Sequence, residues 1–243
     1  MEPVLYEEMF RMEQHYWWHR GKRYFIHRLL RRFLQGAKGR LLIPGVGTGY
    51  LQMELQGRYE VVGLDFSAQA LSFCKSRGCE KLALADLEQG LPFAPDSFDG
   101  ILAFDVLEHL EQDDRFLCEC FRVLRPGAFL LVGVPAFPAM WSLWDEMLHH
   151  KRRYLRRGLS RQISGHRFDL VYANYYNMLS YPPAFVIRKL KKHLGCSSSE
   201  FVRLPEPANK MMTAVFQAEL AASLRIPLPF GLSCAAVGRK PLS

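Results

Sequence analysis

The chain has 243 residues, 49% of them hydrophobic, and a formal charge of +8. This is the composition of a globular chain with a substantial core, and no apolar run reaches the roughly 18 residues of a membrane-spanning helix. Six scattered cysteines (Cys74, Cys79, Cys118, Cys120, Cys196 and Cys234) have no zinc spacing; they read as free thiols in a reducing compartment, with no metal expected.

The first residues lack the basic start and apolar core of a signal peptide, which gives a cytoplasmic expectation. A helix is predicted after Gly21, with Tyr24, Phe25, Leu29 and Phe33 on one face and Gly36 and Gly39 at its end. Before it, Trp17 and Trp18 stand with Arg20 and Arg23. They read either as a lid over a carboxylate-bearing ligand or as core anchors beside snorkelling arginines.

Arg40 to Ile43 reads as a short buried strand, followed by a Gly-x-Gly-x-Gly turn at Gly45, Gly47 and Gly49. A helix from Tyr50 to Gln56 and an apolar strand from Glu60 to Leu64 come next, with Asp65 at the strand's end. This is half of a doubly wound nucleotide-binding unit, and an acid there can bond both hydroxyls of a ribose. Tyr50 occupies the place of the last glycine in the dinucleotide fingerprint, which argues against a nicotinamide cofactor.

Ser67 caps a predicted helix from Ala68 to Arg77, closed by Gly78. A third strand from Lys81 to Ala85 ends at Asp86, and a fourth from Phe98 ends at Phe104-Asp105. A short helix from Val106 and one capped by Asp113 or Asp114 precede the fifth strand, Ala128 to Val134. Strands alternating with helices predict an α/β, Rossmann-like, doubly wound and mostly parallel sheet with helices on both faces. Ligands of such sheets bind at the carboxyl ends of strands, where Gly45, Asp65, Asp86 and Asp105 all lie.

Residues 39–135 resemble the core of the class I S-adenosylmethionine (SAM)-dependent methyltransferases. The resemblance is carried by Leu41 to Gly49, Gly63 to Ser67, Ala85-Asp86-Leu87, Ser97 to His109 and Phe121 to Gly127. It implies that Gly45, Gly47 and Gly49 line the methionine part of SAM. It also implies that Asp65 holds the ribose, that Phe66, Asp86 and Leu87 surround the adenine, and that Phe104 and Asp105 border methyl transfer. Ile43 departs from the family, which commonly has an acid there to organise the cofactor's amine; another acid would have to substitute. Trp17 to Arg23, Asp145 with His150 to Tyr154, and Pro229 to Ser233 resemble a narrower bacterial group. Its members modify glycans, glycolipids or small metabolites.

Residues 136–243 read as the substrate-facing part, with a helical lid insertion after strand five; residues 1–38 read as a helical cap. A helix from Asp145 to His150 is followed by another from Ser160 to His166 and a strand from Phe168 to Asn177. Helices from Ala184 to His193 and Asn209 to Leu224 flank a polar loop from Gly195 to Glu200. A last strand, Leu232 to Val237, is predicted to return to the sheet edge. Eleven Lys/Arg against one acid, Asp169, between Lys151 and His193 suit an anionic acceptor, a membrane surface or nucleic acid.

Trp18, Arg23, Trp141, Arg153 and Tyr154 are the candidate substrate residues, with Arg20 on the cofactor. His150 and His109 are the candidate bases. The reading is methyl transfer from SAM, leaving S-adenosylhomocysteine, to a small-molecule, glycan or lipid-linked anionic acceptor, with peripheral membrane contact among the expectations. A nucleic-acid methyltransferase and a non-catalytic SAM-binding or assembly protein are the alternatives.

Overall fold

The structure is a computed structural model that describes residues 3–34, 39–194 and 204–242. Two helices, α1 (Pro3–Met12) and α2 (Trp17–Phe33), precede strand β1 (Arg40–Pro44). Gly21 is where α2 crosses a later helix, α9 (Glu206–Ser223): a Cβ there would stand 2.1 Å from the Phe216 ring. The α2 helix starts five residues earlier than its periodicity suggested, because Asn209 of α9 accepts the Trp17 N–H at 2.9 Å and caps it. Gly36, Cys196 and the loop from Gly195 to Glu200 lie outside the described residues.

After β1 come α3 (Tyr50–Leu55), β2 (Glu60–Asp65), α4 (Ala68–Ser76) and β3 (Leu82–Leu84). Then follow β4 (Phe98–Phe104), α5 (Asp113–Val123) and β5 (Leu124–Pro135). The second half adds α6 (Leu143–Met147), α7 (Arg156–Gly165), β6 (Asp169–Tyr176), α8 (Tyr181–Leu194), α9 and β7 (Ser233–Arg239). Sheet order is β3-β2-β1-β4-β5-β7-β6, and β7 runs antiparallel to both neighbours. The final strand is therefore wedged between β5 and β6, not laid on the edge as expected. Small residues allow it: Cys234, Ala235 and Ala236 are fully buried, and a Cβ on Gly238 would stand 2.8 Å from Ile163 Cγ2.

One face of the sheet is filled by α2, α3, α4 and α9, through Phe25, Leu29, Leu55, Leu71, Phe216 and Leu220. The other is filled by α5 and α7, through Phe116, Leu117, Leu159 and Ile163. Strand residues of both halves enter both cores, so the boundary after residue 135 does not separate two cores. The β1, β4 and β5 strands read as continuous apolar runs because they are covered on both sides. No helix among the described residues is long and apolar enough to cross a membrane.

Candidate active site

The carboxyl ends of β1, β2 and β4 meet around the glycine turn. Gly45 and Gly47 have φ of +63° and +60°, which disfavour a side chain. A Cβ would stand 3.1 Å from Val106 at Gly45 and 3.0 Å from Met9 at Gly47. Both positions therefore form a backbone-walled cradle that any side chain would fill. Gly49 faces elsewhere: its Cβ would lie 2.8 Å from Cys74 Sγ, so this glycine lets α3 pack on α4.

Asp65 is 5% exposed and binds the turn directly. Gly47 N–H donates to its Oδ2 and Ser67 N–H to its Oδ1, both at 3.0 Å. Burial raises its pKa, and those backbone donors oppose the rise. Phe66 presents a 66% exposed ring beside it, and Leu87 is half-buried. Asp86 caps the short turn Leu87–Gln89, accepting the Glu88 N–H at 3.0 Å.

A residue group from α1 and the turn after it lies across this cradle, and nothing in the sequence pattern announced it. Met9 meets Gly47, Phe10 stacks on Phe73 at 4.8 Å, and buried Tyr6 is close enough to Asp65 and Ser67 for both to shift its pKa. Glu13 accepts a hydrogen bond from the Thr48 hydroxyl within the glycine turn and pairs with Arg77 at 3.4 Å. Burial raises the Glu13 pKa; Thr48 and Arg77 offset part of that. Ile43, where the resemblance expects an acid, is an apolar core residue, and Glu13 is the acid brought to the turn.

At the β4 end, Asp105 sits at φ +55°, a strained conformation for a side-chain-bearing residue. Phe104 beside it lies over Gly133, where a Cβ would be 2.3 Å from the ring. Lys22 Nζ bonds Asp105 Oδ2 at 2.5 Å and lies over the Trp18 ring at 4.5 Å. Trp18 and Lys22, four positions apart, share the face of α2 that looks at β4.

Arg20 is two positions from both and lines an open cavity of ≈ 230 Å³ with His27, Glu54 and Gln217. This is a different face of α2 from the one that carries Trp18 and Lys22. Arg23 is likewise committed elsewhere: its Nε bonds Glu54 at 3.1 Å, its Nη1 reaches the Glu13 carbonyl, and its guanidinium covers the Tyr50 ring at 4.2 Å. It ties the end of α1, α2 and α3 together.

The segment after α6 docks on the ends of β4 and β5. Phe137 N–H bonds the Tyr154 carbonyl and Tyr154 N–H bonds the Pro135 carbonyl, both at 2.9 Å; Lys151 N–H bonds the Glu108 carbonyl at 2.6 Å. Asp145, fully buried, organises the turn. It accepts from Arg153 Nε at 2.7 Å, Arg153 Nη2 at 3.0 Å, His150 Nδ1 at 2.9 Å and Ser142 N–H at 2.9 Å. Burial opposes its charge, yet His150 and Arg153 hold its carboxyl below the usual range.

Arg153 also bonds the Ala136 carbonyl at 3.1 Å, so its fork is spent inside the protein. The Tyr154 hydroxyl donates to Asp113 Oδ2 at 2.7 Å, beside the Leu107 carbonyl at 3.2 Å. Burial, then Asp113, pushes that phenol up. Both side chains thus hold the segment after α6 in place. Trp141 is half-buried and lies 3.4 Å from Glu146 Oε1 through its indole nitrogen.

His109 and His150 do come together, with ring centroids 4.7 Å apart and edge to face. Burial, then the neighbouring His150, pushes the His109 pKa down to about 4. Glu108, unremarked as a site in the sequence, completes the group: it is fully buried, and among the described residues no hydrogen-bond partner reaches either carboxyl oxygen. The cluster lies next to Asp105, beyond the carboxyl end of β4.

Residues 42–132 match the family model described as "Methyltransferase domain". A Mycolicibacterium smegmatis "probable S-adenosylmethionine-dependent methyltransferase" is 32% identical over 51% of this chain and 47% of its own. The human "probable tRNA methyltransferase 9B" is 30% identical over 51% of this chain and 26% of its own. A malonyl-[acyl-carrier protein] O-methyltransferase of Methylococcus capsulatus is 29% identical over 68% and 64%. The matched chain thus spans about half of the first relative and a quarter of the second. A SAM-dependent methyltransferase structure from Archaeoglobus fulgidus superposes with TM-score 0.58 at 19% identity, covering 96% of this chain and 99% of that one. Residues 42–132 are thus similar to a methyltransferase domain, and the fold is that of SAM-dependent methyltransferase structures.

Proposed function

We propose that this protein, built on a SAM-dependent methyltransferase domain, transfers a methyl group to a small, glycan or lipid-linked anionic acceptor. One observation carries the reading. The glycine cradle, Asp65, exposed Phe66 and Asp105 lie side by side at the carboxyl edge of the sheet, with a histidine pair beyond Asp105. The cradle fits SAM: its walls are backbone, and a buried acid for a ribose is bonded to the same turn.

When bound, SAM supplies a methyl on a positively charged sulfur, open to in-line displacement. Asp65 accepts the ribose hydroxyls and Phe66 offers its ring to the adenine. Glu13 takes the part of the acid missing at Ile43 and faces the cofactor's amine. Lys22 and Trp18 border the acceptor, with Lys22 suited to its negative charge. His150, oriented through Nδ1 by Asp145, keeps Nε2 toward His109 and the acceptor's proton. Alignment supplies most of the acceleration.

Calorimetric titration with SAM, S-adenosylhomocysteine and NADH tests the cofactor half. Micromolar binding of the first two, lost in Asp65→Ala, is expected. Folded protein that ignores both would leave a non-catalytic assembly role. A nucleic-acid acceptor is the second reading, favoured by exposed Arg157, Arg161 and Arg167 around α7 and by the name of the human relative. Steeply salt-dependent tRNA binding would promote it over the first.

A further inference from the structure

We propose that Glu108, His109 and His150 form a binding site for one divalent first-row transition-metal ion at the acceptor end of the cleft. One ligand atom from each residue lies within 4.8 Å of the other two, close enough for one ion to gather them. Two imidazoles and a carboxylate suit zinc, iron, cobalt or manganese, and are too nitrogen-rich for calcium or magnesium.

The second observation is Glu108 itself. It is a fully buried carboxyl with neither oxygen hydrogen-bonded among the described residues. A buried carboxyl without a hydrogen-bond partner is costly, and a bound cation would supply one. Its neighbours Leu107 and Leu110 are buried apolar core residues.

The surroundings are those of a metal shell. His150 Nδ1 is held by Asp145 at 2.9 Å, which fixes the tautomer and turns Nε2 toward the cluster. A carboxylate behind a ligating histidine is the usual orienting arrangement. His109 hydrogen-bonds the His149 backbone, which orients its ring in the same way. Asp105 contributes further negative potential, tempered by Lys22.

Three protein ligands leave coordination positions free for an oxygen of the acceptor. A metal there acts as a Lewis acid that lowers the pKa of a bound hydroxyl, so that an oxygen nucleophile is generated near neutrality. This role rests on the methyltransferase reading and, with the ion bound, takes the place of His150 as the base; the binding of the ion does not rest on that reading.

The test uses tag-free protein stripped with a chelator and titrated with Co²⁺, read by its d–d absorption, with Zn²⁺ added as competitor. One Co²⁺ per chain, displaced by Zn²⁺, is expected. Glu108→Gln and the double variant His109→Gln/His150→Gln should each weaken binding at least tenfold, while thermal unfolding shows both folded. Asp65→Ala should keep metal binding and lose SAM. Wild-type protein that binds Co²⁺ no better than the folded double variant overturns the metal site and leaves the methyltransferase reading intact. Metal binding without any SAM binding does the reverse.

Discussion

Asp145 shows how much one side chain can organise. It joins α6, the His150 ring and the Arg153 fork at a site closed to water. Removing one partner of such a pair leaves a buried charge, which costs about 3–5 kcal/mol. Arg153→Met should therefore lower stability by about that amount in urea unfolding. Tyr154→Phe, which loses one hydroxyl bond to Asp113, should cost about 1 kcal/mol. If Arg153 were a substrate contact instead, Arg153→Met would leave unfolding unchanged.

His19 sets a pH dependence. It is buried, and burial, then Lys22 and Arg23, holds its pKa well below its ordinary 6.5. Unfolded, it takes up a proton that the native ring refuses. Its stability contribution is complete above about pH 6.5 and is lost as pH falls below that value. Urea midpoints between pH 7.5 and 5 should decline, and His19→Gln should flatten the decline. The side chains that anchor the acceptor end were hard to read from sequence for a related reason. Arg153 and Tyr154 carry the chemistry of anion binding, and only their tertiary partners, Asp145 and Asp113, show that it is spent. Glu108 was visible only as part of a family match; its burial beside residue 150 comes from the docking of the chain after α6.

At the scale of elements, α1 is the novelty. The glycine turn, Asp65 and Asp105 were legible because strand ends and turns are marked by residue type. The cover over them was not, since Tyr6, Met9 and Phe10 could equally have packed on any apolar surface. With α1 in place, Asp65 is almost fully buried, so on the proposed reading a ribose would reach it only if α1 moved. A variant lacking residues 1–12 should bind SAM with faster association and much faster dissociation in stopped-flow measurements, weakening affinity overall. Unchanged rates would show that α1 does not gate the site. Glu13→Gln should weaken SAM several-fold and leave S-adenosylhomocysteine affected equally, because the amine is common to both.

For the molecule as a whole, the parallel half of the sheet followed directly from apolar runs and the alternation of strands with helices. The antiparallel half did not. Whether a terminal strand lies on an edge or between two others depends on pairing partners, which local pattern does not encode. The consequence is testable: a chain ending at Leu232 lacks β7 and leaves β5 and β6 without the strand that joins them. It should lose cooperative thermal unfolding altogether. A cooperative transition near that of the intact chain would mean that the sheet closes without β7.

The same wedge reaches back into the protein's biosynthesis. On a ribosome, β1 to β5 emerge and can pair in sequence order, but the outer side of β5 has no strand to receive until residues 233–239 leave the exit tunnel. Nearly half of the chain is made during that wait, β6 included, with β6 unable to reach β5 directly. Throughout translation of residues 136–232 the nascent protein carries an open apolar strand edge. Holding that edge away from other polypeptides is a task for the cell's folding machinery, and its duration is set by the position of β7 in the gene.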